Sequence, residues 1–254
     1  MLTQNIFDYL LYGWIGIALV IFPVMLKITA PYGRHTKKTW GMLINARLGW
    51  FIMELPVILV FSYFFFRGDA LKTLPVFLFY SLFMLHYVQR VFIYPLRIRE
   101  KHKKMPLLIV ILAVFFNCCN GFFNGYWFGY LNGFHYSNDW LFGWKFILGF
   151  CLFIIGMYLN IASDQRLINL RNGSKKEYSI PYGGLFNYVS SPNLLGEIIE
   201  WTGWAVMCWC LPALAFAFWT FANLVPRALD HHRWYKKQFN NYPEERKAIF
   251  PFLL

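Results

Sequence analysis

Seven predominantly apolar runs follow one another along the chain, at residues 9–28, 48–66, 73–96, 105–124, 141–161, 194–210 and 211–228. Segments of about 20 such residues span the hydrocarbon core of a bilayer as α-helices. No stretch alternates strand-like segments with helices, so the pattern predicts an all-α integral membrane fold of seven transmembrane helices in one domain covering residues 1–254. The first run has no basic segment before it and no small-residue cleavage site after it, which predicts a retained helix rather than a signal peptide. Two polar intervals carry signs of order. Residues 162–193 end in SIPYGGLFNYVSSPNLLGE, where Pro181, Gly183-Gly184 and Pro192 mark turns. The tail HHRWYKKQFNNYPEERKAIFPFLL interleaves bases with aromatics, as a segment at the membrane interface would.

Composition agrees: 58% hydrophobic, 22% aromatic and 14% charged residues exclude an ordinary soluble domain. The net charge of +12 would suit a nucleic-acid partner if the bases were clustered for one, but their placement fits membrane orientation instead. Twenty of the 24 Lys and Arg fall in 27–47, 97–104, 162–193 and the tail from 227; three fall in 67–72 and 125–145, and Arg90 lies inside a run. The positive-inside rule then puts the N-terminus outside and the C-terminus in the cytosol, which an odd number of spans requires. No nucleic-acid partner is expected. The five cysteines all sit in apolar runs without metal-type spacing and read as packing residues, and the histidines form no ligand pair at helical spacing, so no metal site is expected. The Asn172-Gly173-Ser174 triplet matches a glycosylation pattern but falls on the predicted cytosolic side.

Ionisable groups inside spans cost free energy and therefore need a partner or a task. Glu54, in RLGWFIMELPVILVFSYFFF, is the clearest instance. It could pair with Arg90 of the third span, or it could be a carboxyl kept protonated by burial and used as a hydrogen-bond donor. On the third span, Tyr87, Arg90 and Tyr94 recur at i, i+3 and i+7, one helix face. The fifth span ends in a polar stripe, Asn160, Asp164 and Arg171. The sixth opens with Asn193, Glu197, Glu200 and Trp201, and the seventh leaves through Arg227, His231 and Tyr235. Three helices thus turn polar faces to the cytosolic side, a setting for a large anionic ligand. No glycine-rich phosphate fingerprint occurs, so a dinucleotide would have to be held by side chains.

WFIMELP, LHYVQRVFIY, GGLFNYVSSPNLLGEIIEW, LPALAFAFW and the tail together resemble the membrane-bound steroid 5α-reductases, or 3-oxo-5α-steroid 4-dehydrogenases, from about Tyr32 to Leu254. The resemblance implies a seven-helix enzyme that uses NADPH to reduce the C4–C5 double bond of 3-oxo-Δ4-steroids. It implies that Glu54 and Tyr87 bind the C3 carbonyl. It implies that Asn160, Asp164, Arg171, Asn193, Glu197, Arg227, His231 and Tyr235, with Tyr32, Arg90 and Tyr94, serve the cofactor, whose elements would lie mainly in 160–200 and 227–254. Trp50, Phe116 and Phe123 are candidate walls of an aromatic steroid pocket. Two positions depart from the family: Met53 stands where mammalian members carry Gln, and Leu112 lies near a missing arginine. Rival readings are a reductase of another enone or enoyl lipid, a membrane methyltransferase of the isoprenylcysteine type, and a seven-helix receptor or transporter. The expected setting is a multi-pass protein of the endoplasmic reticulum in a eukaryote or of the cytoplasmic membrane in a bacterium, acting as a monomer.

Overall fold

Between lipid-exposed helices there is no hydrophobic drive to associate, so close helix contact depends on small residues that let backbones meet. This chain places glycines where that need arises. The structure, a computed structural model, describes residues 2–31, 33–36, 38–98, 103–133, 135–170 and 178–254. Tyr32, Arg171 and the Asn172-Gly173-Ser174 triplet lie outside the described residues.

The helices are α1 (Gln4–Lys27), α2 (Ala46–Arg67), α3 (Leu74–Arg97), α4 (Leu107–Leu131), α5 (Trp144–Leu170), α6 (Pro192–Cys208) and α7 (Leu211–Gln238). The first five are long and apolar enough to cross a membrane. Helix α6 has only 17 residues, and the last turns of α7 are heavily charged. Two features go beyond the expected helices. Leu43–Asn45 (β1) and Lys104–Pro106 (β2) pair antiparallel, Leu43 opposite Pro106 and Asn45 opposite Lys104. The expected fourth helix therefore starts at Leu107 rather than 105, because Pro106 ends the ladder and its fixed φ suits the entry to a helix. Wide π turns also interrupt α3 at Gln89–Ile93 and finish α4 at Trp127–Leu131.

The chain forms two compact units. The first comprises residues 1–11 and 31–147. Its centre is the α2/α4 pair. Gly121, Gly125 and Gly129 recur every four residues on α4, and a Cβ at Gly125 would lie 2.7 Å from the Phe61 carbonyl oxygen. A Cβ at Gly121 would lie 3.1 Å from the Val57 carbonyl oxygen. The ladder fixes the register of this pair from the other end: Ala46 N–H donates to the Lys103 carbonyl and Leu107 N–H to that of Met42. The Asn45 side chain accepts from the amides of Arg47 and Leu48, capping α2. Around this pair, Phe61, Phe65, Phe79, Phe83 and Phe128 are fully buried.

The second unit comprises residues 12–30 and 148–254. Here α5 and α6 meet along Gly149 and Gly156 of one helix and Gly196 and Gly203 of the other. A Cβ at Gly196 would lie 2.5 Å from the Asn160 amide nitrogen, and one at Gly203 2.5 Å from that of Phe153. Helix α7 packs on α6 through Leu194, Leu195, Ile198, Leu224, Val225 and Ala228, a cluster that also takes in Ile249 of the tail. Where the sequence suggested a tail lying at the membrane interface, the structure folds its middle into the protein. Arg246, Ala248 and Ile249 are buried, and Lys247 exchanges backbone hydrogen bonds with Tyr188 and Ser190. The physical reason is that the 188–190 backbone has free hydrogen-bonding edges that the tail satisfies.

The α5/α6 contact leads to a test. In Gly156→Ala the new methyl would collide with the backbone of Glu200 and Gly196, whereas at Gly16 nothing lies within 4 Å of the same methyl. Overpacking of this kind costs about 1–3 kcal/mol. Thermal denaturation in detergent should therefore show a clear fall in Tm for Gly156→Ala and none for Gly16→Ala.

Candidate functional site

In a low-dielectric interior a polar side chain must be satisfied by neighbours, so its partners reveal how it is held. In the first unit those partners come from α4. Pro56 lacks an N–H and interrupts the α2 ladder one turn after Ile52. Beside that interruption, the Asn117 side chain donates from Nδ2 to the Met53 carbonyl at 2.7 Å and to Glu54 Oε2 at 3.3 Å. One turn further along, Asn120 Nδ2 donates to the Tyr87 hydroxyl at 3.3 Å. Asn124 Nδ2 in turn donates to the Asn120 side-chain oxygen at 2.9 Å and to the Asn120 backbone carbonyl at 3.1 Å. Glu54 is half-buried, while Tyr87 and all three asparagines are buried. Both candidate catalytic groups are thus served by amides of one helix.

A π turn falls within the series Tyr87, Arg90 and Tyr94. The π turn at Gln89–Ile93 widens α3 between them and rotates the residues after it relative to those before it. Tyr87 meets Asn120 of α4, whereas the Arg90 guanidinium lies 4.8 Å from the ring centres of both Trp50 and Tyr94. Those two rings meet edge to face at 5.2 Å. Cation–π contacts of this kind contribute about 0.5–2 kcal/mol each and let a buried arginine keep its charge. Trp50, placed by the sequence among pocket walls, is half-buried and supports Arg90. Phe123 is buried against Phe7 and Phe122, and Phe116 is half-buried on α4.

In the second unit the glycine contact between α5 and α6 brings four predicted residues together. Asn160 Nδ2 donates to the Asn193 carbonyl at 3.0 Å and to Glu197 Oε2 at 3.4 Å, while Asn193 Nδ2 donates to Asp164 Oδ1 at 3.0 Å. Asn160 and Asp164 are buried; Asn193 and Glu197 are half-buried. Two carboxylates and two amides therefore share a short polar seam. On α7, His231 Nδ1 lies 3.3 Å from the Ser191 hydroxyl, and Arg227 is half-buried. Tyr235 is buried and stacks on Tyr242 at 5.3 Å, with Ile180 in the same cluster.

Ser190 makes a hub that the sequence did not single out. Its hydroxyl donates to the Lys247 carbonyl at 3.1 Å and meets His232 Nδ1 and the Tyr242 hydroxyl at 2.6 Å each. One proton and two lone pairs are then all engaged, so His232 must present Nδ1–H to the serine. Burial, reinforced by the charges of Lys236 and Lys247, pulls the His232 imidazole down to about 4. Beside the hub, Arg246 is buried, donates to the Pro181 carbonyl at 2.9 Å and lies over the rings of Tyr182 and Tyr242. The tail and the 181–190 segment are thereby fastened to each other.

Asn117, Asn120 and Asn124 were legible in principle. They recur at i, i+3 and i+7 within an apolar run, the same spacing that singled out Tyr87, Arg90 and Tyr94. Ser190, His232 and Tyr242 carry no such signal, since they come from three separate segments.

The family model described as 3-oxo-5-alpha-steroid 4-dehydrogenase matches residues 103–254. Among curated relatives, steroid 5-alpha-reductase DET2 of Gossypium hirsutum is 37% identical over 98% of this chain and 98% of its own. The 3-oxo-5-alpha-steroid 4-dehydrogenase 1 of Rattus norvegicus is 39% identical over 97% of this chain and 95% of its own, and that of Homo sapiens 37% over 98% and 96%.

His232 supplies a pH test. Its folded-state value lies below its ordinary 6.5, so the unfolded chain binds the extra proton first and stability falls as pH drops from about 6.5 towards 4. The Tm difference between wild type and His232→Gln, measured from pH 7.5 to 4.5, should shift in favour of the variant as pH falls. Parallel Tm curves would contradict the assignment.

Proposed function

This chain belongs to the 3-oxo-5-alpha-steroid 4-dehydrogenase family, and from that premise we propose that it reduces the C4–C5 double bond of 3-oxo-Δ4-steroids to 5α-dihydro products with NADPH as reductant. The single observation that carries this reading is that the two expected carbonyl-binding groups, Glu54 and Tyr87, each receive an amide N–H from α4. A carboxyl and a phenol supported in this way suit the binding of one ketone oxygen.

Conjugate reduction adds a hydride to C5, breaks the C4–C5 π bond and moves an electron pair through C4 onto the C3 oxygen; a proton then adds to C4. The substrate oxygen gains charge as this happens, so donors aimed at it stabilise the transition state more than the ground state. Tyr87 and a protonated Glu54 are the proposed donors. The proton of such a carboxyl, rather than its charge, is what the reaction uses.

NADPH, when bound, supplies the hydride. The second unit's donor set fits such a group. Asp164 and Glu197 can accept from ribose hydroxyls and a carboxamide, Asn160 and Asn193 hold those carboxylates in place, and Arg227 and His231 can meet phosphate oxygens. Tyr235, buried on Tyr242, would shape this region from behind. Arg171 and Tyr32 are proposed as further cofactor contacts, and Arg90 with Tyr94 as a positively charged aromatic clamp. Trp50, Phe116 and Phe123 are proposed walls for the flat, apolar steroid. We also propose seven spans, α6 and α7 included, with the N-terminus outside and the C-terminus cytosolic. In that arrangement residues 1–254 work as one multi-pass reductase domain, in the endoplasmic reticulum or a bacterial cytoplasmic membrane. Glu200 of α6 and Thr220 and Asp230 of α7 lower the hydropathy of these helices while being buried.

The test is a single turnover of the detergent-purified protein with 4-deuterated NADPH and progesterone. Deuterium at C5 of a 5α-dihydro product is expected. Glu54→Ala and Tyr87→Phe should each lower kcat about 100- to 1000-fold, the usual cost of losing one oxyanion donor. Glu54→Gln, which keeps an N–H donor, should lose less; equal and mild losses in Glu54→Gln and Glu54→Ala would remove Glu54 from this role.

A further inference from the structure

The hydrogen bonds on α4 have a direction, and that direction bears on what Tyr87 and Glu54 can do. A backbone carbonyl only accepts. The Asn124 group facing the Asn120 carbonyl must therefore be its NH2, and the two hydrogens of that NH2 serve the Asn120 carbonyl and the Asn120 side-chain oxygen. With its oxygen committed to Asn124, the Asn120 amide can turn only its NH2 towards Tyr87. Tyr87 must accept that bond, so its own proton is not spent on Asn120. The same logic holds one turn away. The Met53 carbonyl fixes Asn117 Nδ2, which also faces Glu54 Oε2, so Oε2 accepts and the carboxyl proton is left to the other oxygen. Each of these asparagines is buried, where an exchange of partners with water is costly.

We propose that Asn120, pinned by Asn124, and Asn117, pinned by the Met53 carbonyl, are positioning residues that set the polarity of Tyr87 and Glu54 so that both act as donors to the substrate carbonyl. This rests on the reading of Tyr87 and Glu54 as carbonyl binders. It adds a cause: the same phenol beside an acceptor would turn its proton inwards, and the site would lose a donor without losing an atom of the catalytic pair. The i, i+3, i+7 spacing of Asn117, Asn120 and Asn124 is what lets one helix do this for residues on two others.

Asn120→Asp tests the idea with almost no change of shape, because it replaces the donating NH2 by an acceptor. Steady-state reduction of progesterone by NADPH should show kcat about 100-fold lower at pH 7.5. The steroid KM and the NADPH Kd, read by fluorescence titration, should stay within about threefold of wild type. Activity should recover as pH falls and the new carboxyl takes up a proton that it can donate to Tyr87. In a Tyr87→Phe background the same substitution should cost less than about threefold, because there is no phenol left to orient. An equal loss in both backgrounds, or a loss confined to KM, overturns the positioning role and leaves the catalytic reading of Tyr87 standing. Full activity in Tyr87→Phe alone overturns both. Should Asn120→Asp fail to fold, Asn124→Leu decides the question: it releases the Asn120 amide to rotate, and the same background-dependent loss of kcat is expected.

Discussion

Backbone-to-backbone contact through glycine is the constraint on which this structure depends. Lipid tails are as apolar as leucine, so burying aliphatic surface between two membrane helices gains little, and the remaining forces are packing and hydrogen bonding at short range. The α2/α4 pair uses Gly121, Gly125 and Gly129, and the α5/α6 pair uses Gly149, Gly156, Gly196 and Gly203. At each contact a single added methyl would push the helices apart. The polar chemistry depends on the same closeness. A side-chain amide spans only a few ångströms, and Asn117 can reach the Met53 carbonyl, or Asn160 the Asn193 carbonyl, only because those backbones already touch.

A second regularity is that asparagine amides meet the candidate carboxyl groups. Glu54, Asp164 and Glu197 each accept from an asparagine. A neutral amide fixes the position of a carboxyl group without adding a charge beside it. Where a buried cation is needed, aromatic rings surround it: Arg90 lies over Trp50 and Tyr94, and Arg246 over Tyr182 and Tyr242. The high aromatic content of the chain is thus partly explained by holding charge in a medium that disfavours it.

The C-terminal tail and the 181–190 segment illustrate how a site region is made rigid without a helix. Ser190 gathers bonds from two other segments, Arg246 crosses back to Pro181, and Ile249 joins the apolar cluster of α6 and α7. Helix α7 presents Arg227 and His231 from the helical scaffold that this tail braces.

The alternation of long apolar runs with basic connections determined the number of long helices by itself, because a bilayer-length apolar segment has few ways to satisfy its backbone except as a helix, whereas α5 and α7 run on past their apolar runs to Leu170 and Gln238. Glu54, Tyr87, Asn160 and Asp164 were conspicuous for a related reason: a polar residue in such a run must have a cause. Only the tertiary structure decided which of these groups meet. The π turn at Gln89–Ile93 interrupts the series Tyr87, Arg90 and Tyr94, a change of helical period that regular 3.6-residue spacing cannot anticipate. The β1/β2 ladder, the Ser190 hub and the buried Arg246 each join segments tens of residues apart, and no local pattern encodes such pairings. Local periodicity carries what one helix does along its own axis, whereas the partner of a buried polar atom is set by which backbones the glycines allow to touch.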